Sequence, residues 1–157
     1  MTLFLVHHGD ALGPDVDTRR PLSPTGQAQA ARGAEAAGAR GAHPAVIWHS
    51  GKLRARQTAE AFWRICNPFA EFSAVRDVQP GDPPERMRDR LRGETRDILI
   101  AGHFPFLPRL LGTLLAAGEK VDGMRAHFPP HGVVALVSDD AGETWEERWR
   151  LSQDDPE

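Results

Sequence analysis

The chain has 157 residues, a formal net charge of −3 at pH 7 and a single cysteine, Cys66. That length suits one domain able to bury roughly 70% of its unfolded surface. The small charge gives no electrostatic case for nucleic acid or an anionic membrane as partner. No apolar run approaches the roughly 20 residues of a membrane span, and the amino terminus lacks a signal-peptide layout. One cysteine excludes an intramolecular disulfide, so the cytoplasm is the expected compartment. The 15 glycines and 13 prolines fall between periodic segments, which indicates many short connections.

Leu3 to Val6 reads as a short buried strand, and it ends in His7-His8-Gly9-Asp10. Gly9 lets the backbone approach a bound group or take a positive φ. Leu12 to Leu22 is a loop containing Arg19-Arg20-Pro21. Ser23-Pro24 then starts an alanine-rich helix over Thr25 to Gly38, with Ala28, Ala31 and Ala34 predicted on its apolar face. Ala45 to Trp48 is a second strand, followed by His49-Ser50-Gly51. The next helix has Leu53, Ala55, Ala59, Phe62 and Cys66 on one face, and Asn67-Pro68 stops it. Phe72 to Arg76 suggests a short edge strand, and Glu85 to Leu91 a short charged helix. Asp97 to Ala101 is the third apolar strand, ending in Gly102-His103, and a leucine-rich helix follows over Phe106 to Ala117. Gly132 to Val137 and Thr144 to Leu151 form a predicted hairpin. Strict alternation places Trp145, Trp149 and Leu151 on one side of its last strand and Glu146, Arg148 and Arg150 on the other. Strands alternating with helices before a terminal hairpin predict an α/β fold, a three-layer α/β/α sandwich with a mostly parallel sheet. One domain is expected over residues 1–151, with a frayed polar tail over 152–157.

The three best strands all end in polar clusters: His7-His8-Gly9, His49-Ser50 running on to Arg54, and Gly102-His103. Right-handed crossovers put those ends on one rim, where open α/β sheets bind ligands. Imidazoles meeting arginines at a helix start is a phosphate-binding composition, because guanidinium pairs with phosphate in a bidentate way and keeps its charge. A neutral histidine can attack phosphorus, and a second one can stabilise charge or move a proton. The constellation therefore points to metal-independent phosphoryl transfer through a phosphohistidine.

These residues resemble the histidine phosphatase superfamily (phosphoglycerate mutase-like), and within it the short SixA-type phosphohistidine phosphatases. The segments that carry the resemblance are His7-His8-Gly9-Asp10-Ala11, Arg20-Pro21-Leu22-Ser23 with Gly26, Ser50 to Thr58, Pro80-Gly81-Asp82 and Gly102-His103-Phe104-Pro105. The resemblance implies that His8 is the nucleophile, that Arg54 clamps the phosphoryl group and that His103 stabilises the transferred oxygens. It also implies phosphate contacts from Arg20, Gly9, Ser50 and position 7, with no cofactor. The substrate would be a phosphorylated protein or a small phosphorylated molecule. Oligomeric state is not indicated.

Position 7 departs from the pattern, because the family has arginine where this chain has His7. Losing one charge-assisted hydrogen bond, about 1.5–3 kcal/mol, slows a reaction roughly ten- to a hundredfold. Two outcomes follow. Either a bound dianion keeps His7 protonated and favours mildly acid pH, or the site binds a phosphorylated ligand without efficient turnover. His49 reads as an exposed strand-end residue and Arg56 as a surface one. Asp10 and Asp82 are the candidate proton donors by motif position, although an imidazole or phosphoanhydride leaving group needs no strong acid. A metal site is disfavoured. Pro129-Pro130 forbids the helix that would pair His127 with His131, and no cysteine set or His-Glu-x-x-His pattern is present.

Overall fold

Short strands, three of them apolar on both faces, build a six-stranded sheet in the computed structural model, which describes residues 1–116 and 126–153. The strands are β1 (Thr2–His7), β2 (Val46–His49), β3 (Glu71–Ala74), β4 (Ile98–Gly102), β5 (Val133–Val137) and β6 (Glu146–Leu151), in the order β3-β2-β4-β1-β5-β6. The first four pair in parallel, and β5 joins β1 and β6 antiparallel to both. The fold is the predicted three-layer α/β/α sandwich.

Both faces of the sheet are covered, which is why β1 and β4 read as unbroken apolar runs. Leu3, Leu5, Ile98, Ile100, Val134 and Leu136 pack under α3 (Pro84–Leu91) and α4 (Phe106–Leu115). Phe4, Val6, Leu99, Ala101 and Ala135 pack under α1 (Pro24–Ala39) and α2 (Leu53–Cys66). β1 and β4 are neighbours, yet their following helices leave to opposite faces. A crevice opens at the carboxyl ends of two parallel strands that diverge in this way.

Several details differ from the sequence reading. In α1 the buried residues are Gly26, Ala30, Gly33, Ala34, Ala36 and Ala37, while Ala28 faces solvent. Two glycines belong to the contact face, and an alanine pattern alone does not reveal them. In the terminal hairpin Trp145 and Trp149 lie on opposite faces of the sheet. The register shifts between Ala135 and Leu136, opposite Trp149 and Glu147, so Arg148 is an extra residue that reverses the alternation. The far end of the leucine-rich helix, Ala117, lies outside the described residues, as do 154–157. Gln153, placed in the polar tail, is tied down: it accepts from Arg32 at 2.7 Å and donates to the His131 carbonyl at 3.0 Å.

Candidate active site

His8 follows the last residue of β1, and three hydrogen bonds set its position. Its N–H donates to the Gly102 carbonyl across to β4 at 3.1 Å, and its own carbonyl accepts from His131 Nδ1 at 2.7 Å. Its ring Nδ1 lies 2.7 Å from the Gly9 carbonyl. A carbonyl can only accept, so Nδ1 carries the proton and Nε2 presents a lone pair. Burial is the main force holding His8 down to about 4; the Gly9 hydrogen bond opposes it and Arg54, His131 and Arg20 reinforce it. The ring is therefore neutral at pH 7, as an attacking nitrogen requires.

The β1–α1 connection is held against the helix it enters. A Cβ on Gly9 would stand 2.5 Å from the Gly26 carbonyl oxygen, and one on Gly26 would overlap the Asp10 carbonyl. Ser23 caps α1 by accepting from Gly26 N–H at 3.0 Å, and it donates to the Asp10 carboxylate at 2.6 Å. Both proton-donor candidates thus take part in turns: Asp10 on Ser23, and Asp82 on the Gln79 amide at 2.9 Å.

His103 follows β4, is 1% exposed, and its ring centroid lies 5.2 Å from that of His8. Its Nε2 is 2.6 Å from Ser50 Oγ, which also accepts the Lys52 amide at 3.3 Å. When the Ser50 hydroxyl donates a hydrogen bond to Nε2, the single proton of the neutral ring sits on Nδ1, a buried atom with no partner among the described residues. Burial, helped by His8, Arg54, Lys52 and Arg20, pushes His103 down to about 3. Ser50, expected at the phosphate, is thus placed as the partner of His103, and Gln79 anchors its carbonyl at 2.7 Å.

Arg54 stands in the first turn of α2, and its Nε is buried without a partner among the described residues. Arg20 stands in the β1–α1 loop, with φ 49° and its Nε donating to the Leu12 carbonyl at 3.0 Å. Burial, then the Arg20 guanidinium, hold Arg54 below its ordinary value. Neither arginine, nor Lys52, forms an ion pair among the described residues. Two guanidiniums that feel each other's charge and have no carboxylate partner, one of them in the first turn of a helix, suit a multiply charged anion. Arg56 instead pairs with Glu60 at 3.2 Å on the surface, as expected.

His7 differs from expectation. It is 8% exposed and lies between Phe104 (ring centroids 4.0 Å apart, 8° between planes) and His131 (4.9 Å, 12°). Its Nδ1 accepts the His131 amide at 2.8 Å, so a proton there would meet another N–H. Burial above all, then His8, His131, His103 and Arg54, pushes it down to about 2. With Nδ1 occupied by the His131 amide, His7 is a neutral imidazole with its proton on Nε2. His49 is also corrected: it is 5% exposed, accepts the Gly51 amide at 3.0 Å and packs on Phe72. Its register partner is Ala74, the last residue of edge strand β3, and its carbonyl accepts the Val75 amide at 2.9 Å, so the end of β2 is covered.

Two contributors escape a reading by strand ends. Thr58 links the nucleophile loop to α2, and His131 sits on the rim because antiparallel β5 begins where β1 stops. The quoted motif contains Thr58, but the amphipathic pattern makes it only one more buried helix position. A rule that antiparallel neighbours bring their amino ends to the rim would have found His131.

The fold and the rim, with its paired imidazoles and its guanidiniums free of carboxylates, define a class, α/β domains with a site suited to an anion at the carboxyl ends of their parallel strands. The family model of the histidine phosphatase superfamily (branch 1) matches residues 3–82, and the chain belongs to that superfamily. A search among curated proteins returns no match. Among solved structures, the protein histidine phosphatase SixA complexed with tungstate superposes with a TM-score of 0.81 at 23% identity, covering 97% of each chain. A SixA-type protein from Agrobacterium tumefaciens gives 0.74 at 20% identity, covering 96% of this chain and 97% of that one. The phosphoserine phosphatase of Entamoeba histolytica, in complex with 3-phosphoglyceric acid, gives 0.69 at 14% identity over 98% of each. At these identities the likeness establishes the shared fold. None of the helices among the described residues is long and apolar enough to cross a membrane.

Proposed function

We propose that the protein is a phosphatase acting through a phosphohistidine on His8, with protein phosphohistidine or a small phosphorylated molecule as substrate. The observation that carries this reading is the His8 tautomer, with Nδ1–H on the Gly9 carbonyl and a free Nε2 lone pair. In the first step that lone pair forms a bond to phosphorus, and the bond to the leaving group breaks with its electron pair. In the second, water attacks phosphorus, the P–N bond breaks and returns its electron pair to His8, and the proton lost by water leaves to solvent with inorganic phosphate. Arg54, Arg20 and the buried His103 Nδ1 supply charge and a donor to the phosphoryl oxygens, so the cations come from the chain itself. His7 adds one neutral donor from Nε2. Asp10 and Asp82 already hold turns, which favours a leaving group such as imidazole that makes little demand on an acid.

A second reading, phosphorylated-ligand binding without turnover, is motivated by the neutral His7. Initial rates on a phosphohistidine peptide and on p-nitrophenyl phosphate over pH 5–8, with His8→Ala as control, separate the two. Turnover lost in His8→Ala supports the enzyme. Phosphate binding without turnover in the native protein supports the binding module.

A further inference from the structure

His131 adopts a left-handed backbone, φ 56°. Histidine enters that region more readily than most residues, yet glycine takes it at no steric cost, so backbone shape does not account for an imidazole here. The side chain is committed to the β1 pair. Its Nδ1–H donates to the His8 carbonyl at 2.7 Å, and its ring lies on the face of His7 at 4.9 Å. Its main-chain N–H donates to His7 Nδ1 at 2.8 Å. The turn is braced from outside, since its carbonyl accepts from Gln153, which in turn accepts from Arg32 on α1.

We propose that His131 is a positioning residue for the reaction proposed above, an inference that rests on the phosphatase reading. Apart from His131, the main chain around His8 is held through its N–H groups only, by the Gly102 carbonyl at 3.1 Å and, at the Gly9 amide, by Thr58 Oγ1 at 3.0 Å. The His131 imidazole holds the His8 carbonyl. It thereby fixes the peptide whose next carbonyl, that of Gly9, sets the His8 tautomer, and it closes the slot in which His7 keeps its own. His131 acts through His8 and His7 and has no need to touch the phosphoryl group.

The test compares His131→Gly, which keeps the backbone conformation and deletes the imidazole, with His131→Asn. Asparagine also accepts a positive φ and offers an amide N–H in place of Nδ1–H. Glycine is expected to lower kcat about tenfold with KM changed by less than about threefold, and asparagine to recover most of that loss. Nitrogen-15 imidazole spectra should show His8 in one tautomer in the native protein and His131→Asn, and in a mixture in His131→Gly. If His131→Gly keeps native kcat and a single His8 tautomer while His8→Ala is inactive, the positioning role is wrong and the phosphatase stands. If the native protein turns over neither p-nitrophenyl phosphate nor a phosphohistidine peptide, the phosphatase reading fails. The His8 spectra then decide the positioning role alone: a mixture in His131→Gly supports it, and no change overturns it.

Discussion

The Thr58 hydroxyl accepts the Gly9 amide at 3.0 Å and donates to the Arg54 carbonyl one helical turn back at 2.8 Å. One buried side chain thus ties the loop that carries the nucleophile to the helix that carries the phosphate clamp. Thr58→Val keeps the shape and orphans the Gly9 amide. A buried unsatisfied donor costs about 1–3 kcal/mol, so chemical unfolding should show a loss in that range, accompanied by a fall in kcat. Unchanged stability and kcat would mean that the link is dispensable.

Ser50→Ala removes the partner of His103 Nε2 without touching the phosphate cations. The imidazole is then free to change tautomer or rotate. The expected result is a kcat lowered about tenfold with KM little changed, measured by steady-state kinetics. A rise in KM alone would place Ser50 on the substrate instead.

Gly26→Ala tests the close approach of α1 to the nucleophile loop, since its Cβ would overlap the Asp10 carbonyl. Backbone cannot yield as a side-chain tip does, and a loss of about 3 kcal/mol or more is expected in thermal or chemical unfolding. Gly81→Ala, with open space around its Cβ, is the matched control.

These tests also mark where the sequence was legible. β1, β2 and β4 could be placed because strands buried on both faces are apolar throughout, and the rim followed from their parallel order. His8, Arg54 and His103 could be placed on that rim because each stands directly after such a strand or at the next helix start. The face exchange at Arg148 was not legible, since a bulge leaves the composition of a strand unchanged. The charge state of His7 was equally hidden: it depends on the His131 amide, 124 residues away, and on a ring stack with Phe104.

Stability should fall on the acid side. His7, His8 and His103 all have folded values lowered, to about 2, 4 and 3, against about 6.5 in the unfolded chain. The unfolded state therefore takes up protons first. The stability these groups contribute is complete above about pH 6.5 and is lost as pH drops towards 4, by up to about 1.4 kcal/mol per pH unit for each histidine. Melting temperature against pH should decline across that window, and His7→Phe should make the decline shallower. A flat profile from pH 7 to 5 would contradict the buried neutral cluster.

The central claim is that the neutral Nε2 of His8 takes the phosphoryl group, and trapping tests it directly. The protein would be mixed with phosphorus-32-labelled p-nitrophenyl phosphate or phosphohistidine peptide, quenched within milliseconds in alkaline denaturant that preserves P–N bonds, and mapped by peptide. The account predicts label on the peptide containing His8, absent in His8→Ala and released as inorganic phosphate in the unquenched native protein. Turnover with no label on His8, or label on His7, His103 or His131 in its place, would contradict it.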